Sequence, residues 1–527
     1  MIKLTINGKP VTANDGATIL EAARSAGIDI PTMCHYNKTV APVSCFVCAV
    51  KIDGHDNFLP SCATAARDGM VVNTDSEEVR DCRRRALELM LSDHAGDCEA
   101  PCSRICPCGL NIPEVTRRLQ SGNINAAMEI VRQYMPFPAT LGRVCSAPCQ
   151  KGCRRSSVDT ALPIRDIHRI MAENAINTPS HNMITEIAPI QKNIAVIGSG
   201  PAGLSSAYFL ALKGYPCTIF ESQSQIGGTL RSEISASILP RNILDAEIKL
   251  IENIGVKFIA NREINSIDEI RNDYDAIIIA AGLRNEGQRQ FGVEYDERGI
   301  KICHDTFAAS VPKVFACGSA ARPVRFASRS AGQGRLIAIS VDNYLRGGGN
   351  ARKQFFMNAG HLSFEETESL ANSIPRIGNR ELSTESSDVT NIDGINNIGG
   401  TINIVGESSR CLQCDCGKKN SCLLRDYAAQ YGAHHLRYNT GQRKRYTRKR
   451  YESGLVHEPG KCIACGRCVN ITRAKNINPG LAFSGRGADV HVTAPFGTPI
   501  DRAMGEALAE CVSACPEIGR ASCRERV

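Results

Sequence analysis

Thiols dominate the chemistry open to this 527-residue chain, which carries 25 cysteines. Most of them fall into four fields. The first is Cys34, Cys45, Cys48 and Cys62, spaced C-x10-C-x2-C-x13-C. The second begins at His94, runs through Cys98, Cys102, Cys106 and Cys108, and resumes at Cys145, Cys149 and Cys153. Cys411, Cys414, Cys416 and Cys422 form a compact third set, and Cys462, Cys465 and Cys468 are answered by Cys515 in the fourth. The opening MIKLTINGKP alternates as a strand and turns at Asn7-Gly8, which is not an export signal. Clustered cysteines in a reducing compartment signal metal or redox chemistry rather than a disulfide framework. Thiolates suit zinc and iron–sulfur clusters alike. The first field lies on Pro-, Ser- and Gly-rich loops, where backbone N–H groups can point at sulfur and tune a cluster.

A second chemistry sits at Asn193–Ser222, NIAVIGSGPAGLSSAYFLALKGYPCTIFES. A buried strand over Ile194–Ile197 is followed by Gly198, Gly200 and Gly203 at GxGxxG spacing, an apolar helix through Leu212, and a strand Cys217–Phe220 ending in Glu221. Gly198 permits the tight turn, Gly200 lets a pyrophosphate approach the backbone, and Gly203 lets helix and strand pack closely. The helix N-terminus offers free N–H groups to phosphate. Glu221, placed 18 residues beyond Gly203, is positioned for a ribose hydroxyl. The order of all five pieces indicates a dinucleotide site.

Several elements must hold these residues. A hairpin and a helix near Thr18–Ala26, stopped by Gly27, precede the first field. A helix over Arg80–Leu91 leads into the second, Asp275–Gly282 (DAIIIAAG) and Val314–Ser319 (VFACGS) are strands with turns, and Ser330–Tyr344 is a helix. The expected organisation is 1–80, 81–185, 190–345, a Ser-, Asn- and Gly-rich linker over 346–410, and 411–527. No apolar run reaches the roughly 18 residues of a membrane span, so a cytoplasmic protein is expected. Tryptophan is absent and aromatics make up 5%, which leaves few stacking platforms for nucleic acid. The chain also lacks a nucleophile elbow, a paired-carboxylate signature and a P-loop.

The first field, with its hairpin and helix, resembles the N-terminal [2Fe–2S] domain of the iron–sulfur subunit of NADH dehydrogenases and of related iron hydrogenases and formate dehydrogenases. A structural zinc is the alternative. Cys462-x2-Cys465-x2-Cys468 with Cys515-Pro516 and the intervening LAFSGRGADVHV resemble a [4Fe–4S] region of the same family. CP..LNIP, GRVC.APC..GC and the following strand resemble the glutamate synthase small subunit and the N-terminal part of dihydropyrimidine dehydrogenase. That resemblance implies a helical domain with two [4Fe–4S] clusters, Cys98, Cys102 and Cys153 sharing one and Cys106, Cys145 and Cys149 the other. It also implies FAD on the glycine fingerprint, with Gly227, Gly228, Gly282 and Gly318 beside it. The expected architecture is multidomain α+β and α/β: a β-grasp ferredoxin-like domain, a helical iron–sulfur domain, a Rossmann-like FAD domain and a ferredoxin-like C-terminal iron–sulfur domain.

The chain departs from these families in several places. Each interleaved cluster lacks a fourth cysteine. His94 is a candidate for the first, the family's Glu or Gln position for the second falls at His168, and Cys108 could serve either or neither. Cys411–Cys422 could hold zinc or a cluster. Ser319 replaces the family's Asp, and only 31 residues separate Gly282 from Val314. A βαβ unit alone takes about 30 residues, so a second nucleotide domain for NAD(P)H does not fit. After Pro516 the sequence EIGRASCRERV leaves the family pattern, suggesting a foreign tail, and Cys523 receives no role. The formal charge of +8 is then read as compensation for anionic clusters, each oxidised four-thiolate centre carrying about −2. The expected function is an electron-transfer subunit with FAD, one [2Fe–2S] and about three [4Fe–4S] clusters. Its expected partners are NADH dehydrogenase-, hydrogenase- or formate dehydrogenase-like subunits. The alternatives are a self-sufficient NAD(P)H oxidoreductase of the glutamate synthase small-subunit type and a zinc-stapled binding scaffold.

Overall fold

Asn7 and Gly8 both adopt positive φ, 51° and 76°, so strands β1 (Ile2–Ile6) and β2 (Lys9–Ala13) pair antiparallel across a two-residue turn. The computed structural model describes residues 1–177, 188–283, 291–348, 357, 362–372, 374, 402–417, 421–438 and 444–516. The chain divides into two units: Met1–Glu99 with Lys353–Ser373 and Cys414–Val527, and Ala100–Arg352 with Ile374–Gln413.

In the first unit β3 (Ala49–Ile52), β4 (Leu59–Pro60) and β5 (Val71–Asn73) complete a mixed sheet of order β2-β1-β5-β3-β4, with β1 and β5 parallel. The helix Ile19–Ser25 is closed by a capping box, Thr18 accepting from the Glu21 N–H while Glu21 accepts from Thr18. It buries Ile19, Leu20, Ala22 and Ala23 against Leu4, Ile6, Val50 and Val72 of the sheet. The helix Glu77–Asp93 begins on Ser76, which caps the Val79 N–H. It belongs to this unit, which runs on to Glu99. The buried Arg83 donates to the Ala49 carbonyl at 2.9 Å and to the Tyr431 hydroxyl at 3.0 Å, and this fixes the helix. Its apolar face, Leu87 and Leu91, packs with Leu424 and Ala428 of the helix Leu423–Tyr431.

The second unit is built on a parallel sheet. Strands β6 (Ile194–Ile197), β7 (Cys217–Phe220), β8 (Lys257–Ile259), β9 (Ala276–Ile279) and β12 (Val314–Ala316) stand in the order β12-β9-β6-β7-β8. Every residue of β6 and β9 is buried, which explains their continuous apolar runs. Between β9 and β12 the described residues hold one small hairpin, β10 (Tyr295–Asp296) with β11 (Gly299–Ile300), and no further nucleotide-binding unit. The helix Ala327–Leu345 packs closely on Pro201–Ala211. A Cβ on Gly334 would sit 2.5 Å from the Ala202 carbonyl oxygen, so glycine is needed there. Of the expected linker, Phe364–Ala371 and Ile404–Ser409 are helices, and most of the rest lies outside the described residues.

Candidate iron–sulfur and flavin sites

The first field converges in the first unit. The Cys34 N–H donates to Cys45 Sγ at 3.4 Å, and Cys48 Sγ lies 3.3 Å from Cys62 Sγ. All four side chains are buried. Hydrogen bonds from Cys45 and then Cys62 push the Cys34 thiol far down, and the same Cys34 contact heads the causes that push Cys45 and Cys62 up. Cys48 is held down to about 7, chiefly by the Cys62 thiol. Four buried sulfurs compete for too few protons here, an arrangement suited to a cationic iron core.

Cys462, Cys465, Cys468 and Cys515 line one apolar cavity of the same unit, closed by Leu455 and Met504. Cys511 stands in it too, but its thiol donates to the Cys468 carbonyl at 3.8 Å, so a fifth sulfur accompanies four convergent ones. The first and fourth fields are joined directly. Ser44 donates to the Cys465 carbonyl at 3.1 Å, Asn470 to the Val40 carbonyl at 2.9 Å, and Tyr36 to Glu510 at 3.0 Å.

Cys98 belongs to the first unit, whereas Cys102 and Cys153 belong to the second. Cys98 Sγ accepts the Met357 N–H at 3.4 Å, its carbonyl accepts the Cys416 N–H at 3.3 Å, and Glu99 pairs with Arg425 at 3.7 Å. The family-based partition of the second field did not anticipate this neighbourhood. Cys422 caps the helix Leu423–Tyr431, its Sγ accepting the Arg425 N–H at 3.4 Å. His94 is buried at the C-terminal end of the helix Glu77–Asp93.

Three turns share one conformation. Cys145, Cys411 and Cys462 are each followed two residues later by a left-handed residue, Ala147 (φ 52°), Gln413 (φ 50°) and Ala464 (φ 51°). In each the N–H of that residue donates to the cysteine sulfur at 3.4 Å. Left-handed backbone costs a non-glycine residue about 1 kcal/mol or more, and at each of the three the N–H···S bond accompanies it.

In the second unit Cys106, Cys145, Cys149, Cys108 and His168 line a single closed cavity with Ser328. Burial raises Cys149 to about 12 and lowers His168 to about 4, which keeps the imidazole neutral. A Cβ on Gly152 would meet Ile105 Cδ1 at 2.4 Å, which draws Pro101–Ile105 and its Cys102 against the segment leading to Cys153. Among the described residues no three His, Cys, Asp or Glu side chains form a single-ion site.

The glycine fingerprint fits a dinucleotide. Nothing lies within 4 Å of a Cβ built on Gly200, so a pyrophosphate has room there. A Cβ on Gly203 would lie 2.0 Å from the Gly198 carbonyl oxygen, and one on Gly228 2.7 Å from Gly200 Cα. The helix Pro201–Ala211 has no side-chain cap, which leaves its first N–H groups for an anion. Gly198, Gly282 and Gly318 all adopt positive φ, and the Gly227 N–H donates to Ser199 Oγ at 2.9 Å. Glu221 accepts from the Ser199 N–H at 2.9 Å and its hydroxyl at 2.6 Å, so it braces the glycine loop, a role its position as ribose ligand did not suggest. Ser319 exchanges hydrogen bonds with the backbone of Val324 and so closes its own turn.

Three family models match along the chain: a 2Fe-2S iron–sulfur cluster binding domain over residues 1–77, dihydropyrimidine dehydrogenase domain II with a 4Fe-4S cluster over 75–179, and pyridine nucleotide-disulphide oxidoreductase over 164–334. The chain resembles iron–sulfur flavoprotein subunits of redox complexes. It is 35% identical over 210 residues to NADPH-Fe(3+) oxidoreductase subunit beta of Geobacter sulfurreducens, covering 38% of this chain and 30% of that protein. It is 35% identical over 224 residues to NADP(+)-dependent formate dehydrogenase subunit beta of Moorella thermoacetica, covering 38% and 31%. Against NAD-dependent dihydropyrimidine dehydrogenase subunit PreT of Salmonella typhimurium it is 33% identical, covering 35% and 46%. The chain thus spans less than half the length of these curated relatives. The structure of an NAD+-reducing [NiFe]-hydrogenase matches 18% of this chain and 39% of its own at 31% identity, with a TM-score of 0.17.

Proposed function

We propose that the chain is an electron-transfer subunit that exchanges electrons, through FAD and iron–sulfur clusters, between a partner acting on NAD(P)H, hydrogen or formate and a further acceptor. The observation that carries this reading is the helix Ala327–Leu345. A Cβ on its Gly334 would lie 2.5 Å from Ala202 in the phosphate-facing helix, and one on Gly332 would lie 2.1 Å from the Pro107 carbonyl oxygen, in the loop between Cys106 and Cys108. One rigid helix therefore touches both the dinucleotide cradle and a thiol-lined cavity. A flavin exchanges a hydride for single electrons, and iron–sulfur clusters carry electrons one at a time.

The residues divide as follows. Gly198, Gly200, Gly203, Gly227, Gly228, Gly282 and Gly318 shape the FAD site, and Glu221 holds its glycine loop. Cys34, Cys45, Cys48 and Cys62 hold a [2Fe–2S] cluster in a β-grasp domain, and Cys462, Cys465, Cys468 and Cys515 a [4Fe–4S] cluster. Cys106, Cys145 and Cys149 hold another. Cys98, Cys102, Cys153 and His94 are candidate iron ligands, and Cys411, Cys414, Cys416 and Cys422 candidate ligands of zinc or iron. Among the described residues no helix is long and apolar enough to cross a membrane, in keeping with a cytoplasmic location.

The test is anaerobic mixing of reconstituted protein with NADH or NADPH. The expected result is no rapid flavin bleaching until a redox partner is added. Immediate bleaching by the chain alone would establish a self-sufficient oxidoreductase instead. Iron analysis should give about 14 atoms per chain, for one [2Fe–2S] and three [4Fe–4S] clusters. A colourless zinc protein would overturn the reading altogether.

A further inference from the structure

The cavity of Cys106, Cys145 and Cys149 contains two candidates for a fourth ligand, Cys108 and His168. Hydrogen bonding separates them. Cys108 Sγ lies 3.4 Å from the Ser328 carbonyl oxygen, an acceptor that only a protonated thiol can satisfy. The same posture is seen at Cys511, the fifth thiol of the C-terminal cavity, which faces the Cys468 carbonyl while four other cysteines converge. A thiol donating to a carbonyl marks the sulfur left over.

His168 is held differently. Its Nδ1 lies 3.2 Å from the Pro138 carbonyl oxygen, so Nδ1 carries the proton and the Nε2 lone pair is left for a metal. The amide of the same peptide unit continues the chain of contacts. The Ala139 N–H donates to Glu247 Oε1 at 2.8 Å, and the Thr140 N–H donates to Oε2 at 2.8 Å. Glu247 is buried and spans the first turn of the helix Pro138–Val144, where an anion is favoured. Burial pushes its carboxyl up to about 7, against the two backbone N–H donors that favour the carboxylate; once ionised, its charge polarises the Pro138–Ala139 peptide and makes the carbonyl a stronger acceptor from His168. Metal-bound imidazoles commonly carry such a partner on the second nitrogen, and here a peptide bond is interposed before the carboxylate. The backbone at this point is rigid: a Cβ on Gly142 would fall 2.5 Å from Arg169 Cβ, so the helices bearing Pro138 and His168 touch without slack.

We propose that His168 is the fourth ligand of the iron–sulfur site of Cys106, Cys145 and Cys149, bound through Nε2 and positioned by Glu247 through the Pro138–Ala139 peptide. This rests on the reading of that cavity as a cluster site. Cys108 then stays a thiol between the cavity and the helix Ala327–Leu345.

The test uses the full chain, reconstituted anaerobically and reduced stepwise, with iron content, pulsed EPR for directly bound 14N, and a redox titration of each signal. In the wild type a directly bound 14N is expected that persists in His94→Ala and Cys108→Ser and vanishes in His168→Cys, with iron content kept. Glu247→Gln, titrated at a pH well above 7 where Glu247 is ionised, should keep the 14N signal and the iron but make that cluster at least tenfold easier to reduce, 59 mV for one electron, because a buried negative charge is gone. Loss of four irons in Cys108→Ser with an unchanged His168→Cys spectrum would overturn the proposal. An unshifted potential in Glu247→Gln would remove the positioning role. If Cys145→Ser and Cys149→Ser leave the iron content and every signal unchanged, the cluster reading of the cavity itself fails. If those variants lose iron while His168→Cys changes nothing, only the ligand assignment fails.

Discussion

The substitution Gly203→Ala isolates what the glycine fingerprint does. A Cβ there would stand 2.0 Å from the Gly198 carbonyl oxygen, 3.1 Å from its carbon and 3.3 Å from Val196 Cγ1. Carbon and oxygen need roughly 3.3 Å, so the helix Pro201–Ala211 must retreat from β6 by about 1 Å. All of its residues are buried, which leaves it no free direction. Overpacking of this kind costs about 3 kcal/mol at the upper end of its usual range, roughly a hundredfold in an equilibrium constant. Gly200→Ala is the control: it meets no atom within 4 Å and has an ordinary φ of −67°, so the fold accepts it, but the methyl enters the space left for pyrophosphate. The assay is flavin bound per chain after desalting, with a fluorescence titration for affinity and thermal unfolding for stability. Gly203→Ala should weaken FAD binding by about two orders of magnitude and lower the unfolding temperature. Gly200→Ala should weaken FAD binding at an unchanged unfolding temperature. Full flavin occupancy and native stability in Gly203→Ala would refute the close-packing argument.

Other expectations follow from the first unit. Lys461 is wholly buried and donates to Glu458 at 2.9 Å, and Arg448 and Tyr446 meet the other carboxylate oxygen at 2.9 Å each. Lys461→Met leaves the buried carboxylate under-compensated and should cost about 3–5 kcal/mol, read from the urea midpoint. Burial alone would raise Glu458, but Lys461 and Arg448 outweigh it and hold it at about 2. Its contribution is therefore present above pH 4.5 and lost as pH falls from there toward 2, and in Lys461→Met this acid-dependent loss should be smaller, because the folded-state carboxyl moves back up toward its ordinary value. Arg83→Met strands the Ala49 carbonyl and the Tyr431 hydroxyl and should cost about 1–3 kcal/mol in thermal or urea unfolding. Cys45→Ser should remove about two irons per chain and the [2Fe–2S] EPR signal, leaving bound flavin unchanged; retention of that signal would remove Cys45 from the ligand set.

Local chemistry was the legible part. Asn7-Gly8, the Thr18–Glu21 capping box, the all-apolar β6 and β9, and the glycine spacing each follow from residues within a few positions of one another. The short interval after Gly282 was legible by length alone. What escaped was whatever depends on residues far apart in the chain. Cys98 was grouped with Cys102 and Cys153 by family resemblance, and nothing local announces that its carbonyl meets Cys416. Glu247 reads as one more acid in an amphipathic helix until the helix at Pro138 is brought over it. Glu221 sits where a ribose ligand belongs, and only the folded loop shows Ser199 occupying one of its oxygens. The anchor of the helix Glu77–Asp93, Tyr431, comes more than three hundred residues later.

The bond from Ser44 to the Cys465 carbonyl has a consequence for biogenesis. The loop bearing Cys34 and Cys45 emerges from the ribosome early, yet the residues that cover it, Cys465, Asn470 and Glu510, are among the last made. During synthesis those thiols wait with one wall of their surroundings missing, accessible to oxidants. Closing so long a chain segment is slow, and the two ends must meet before the first unit is complete. The surroundings of Cys34 and Cys45 are thereby complete only once Cys465, Asn470 and Glu510 have been made.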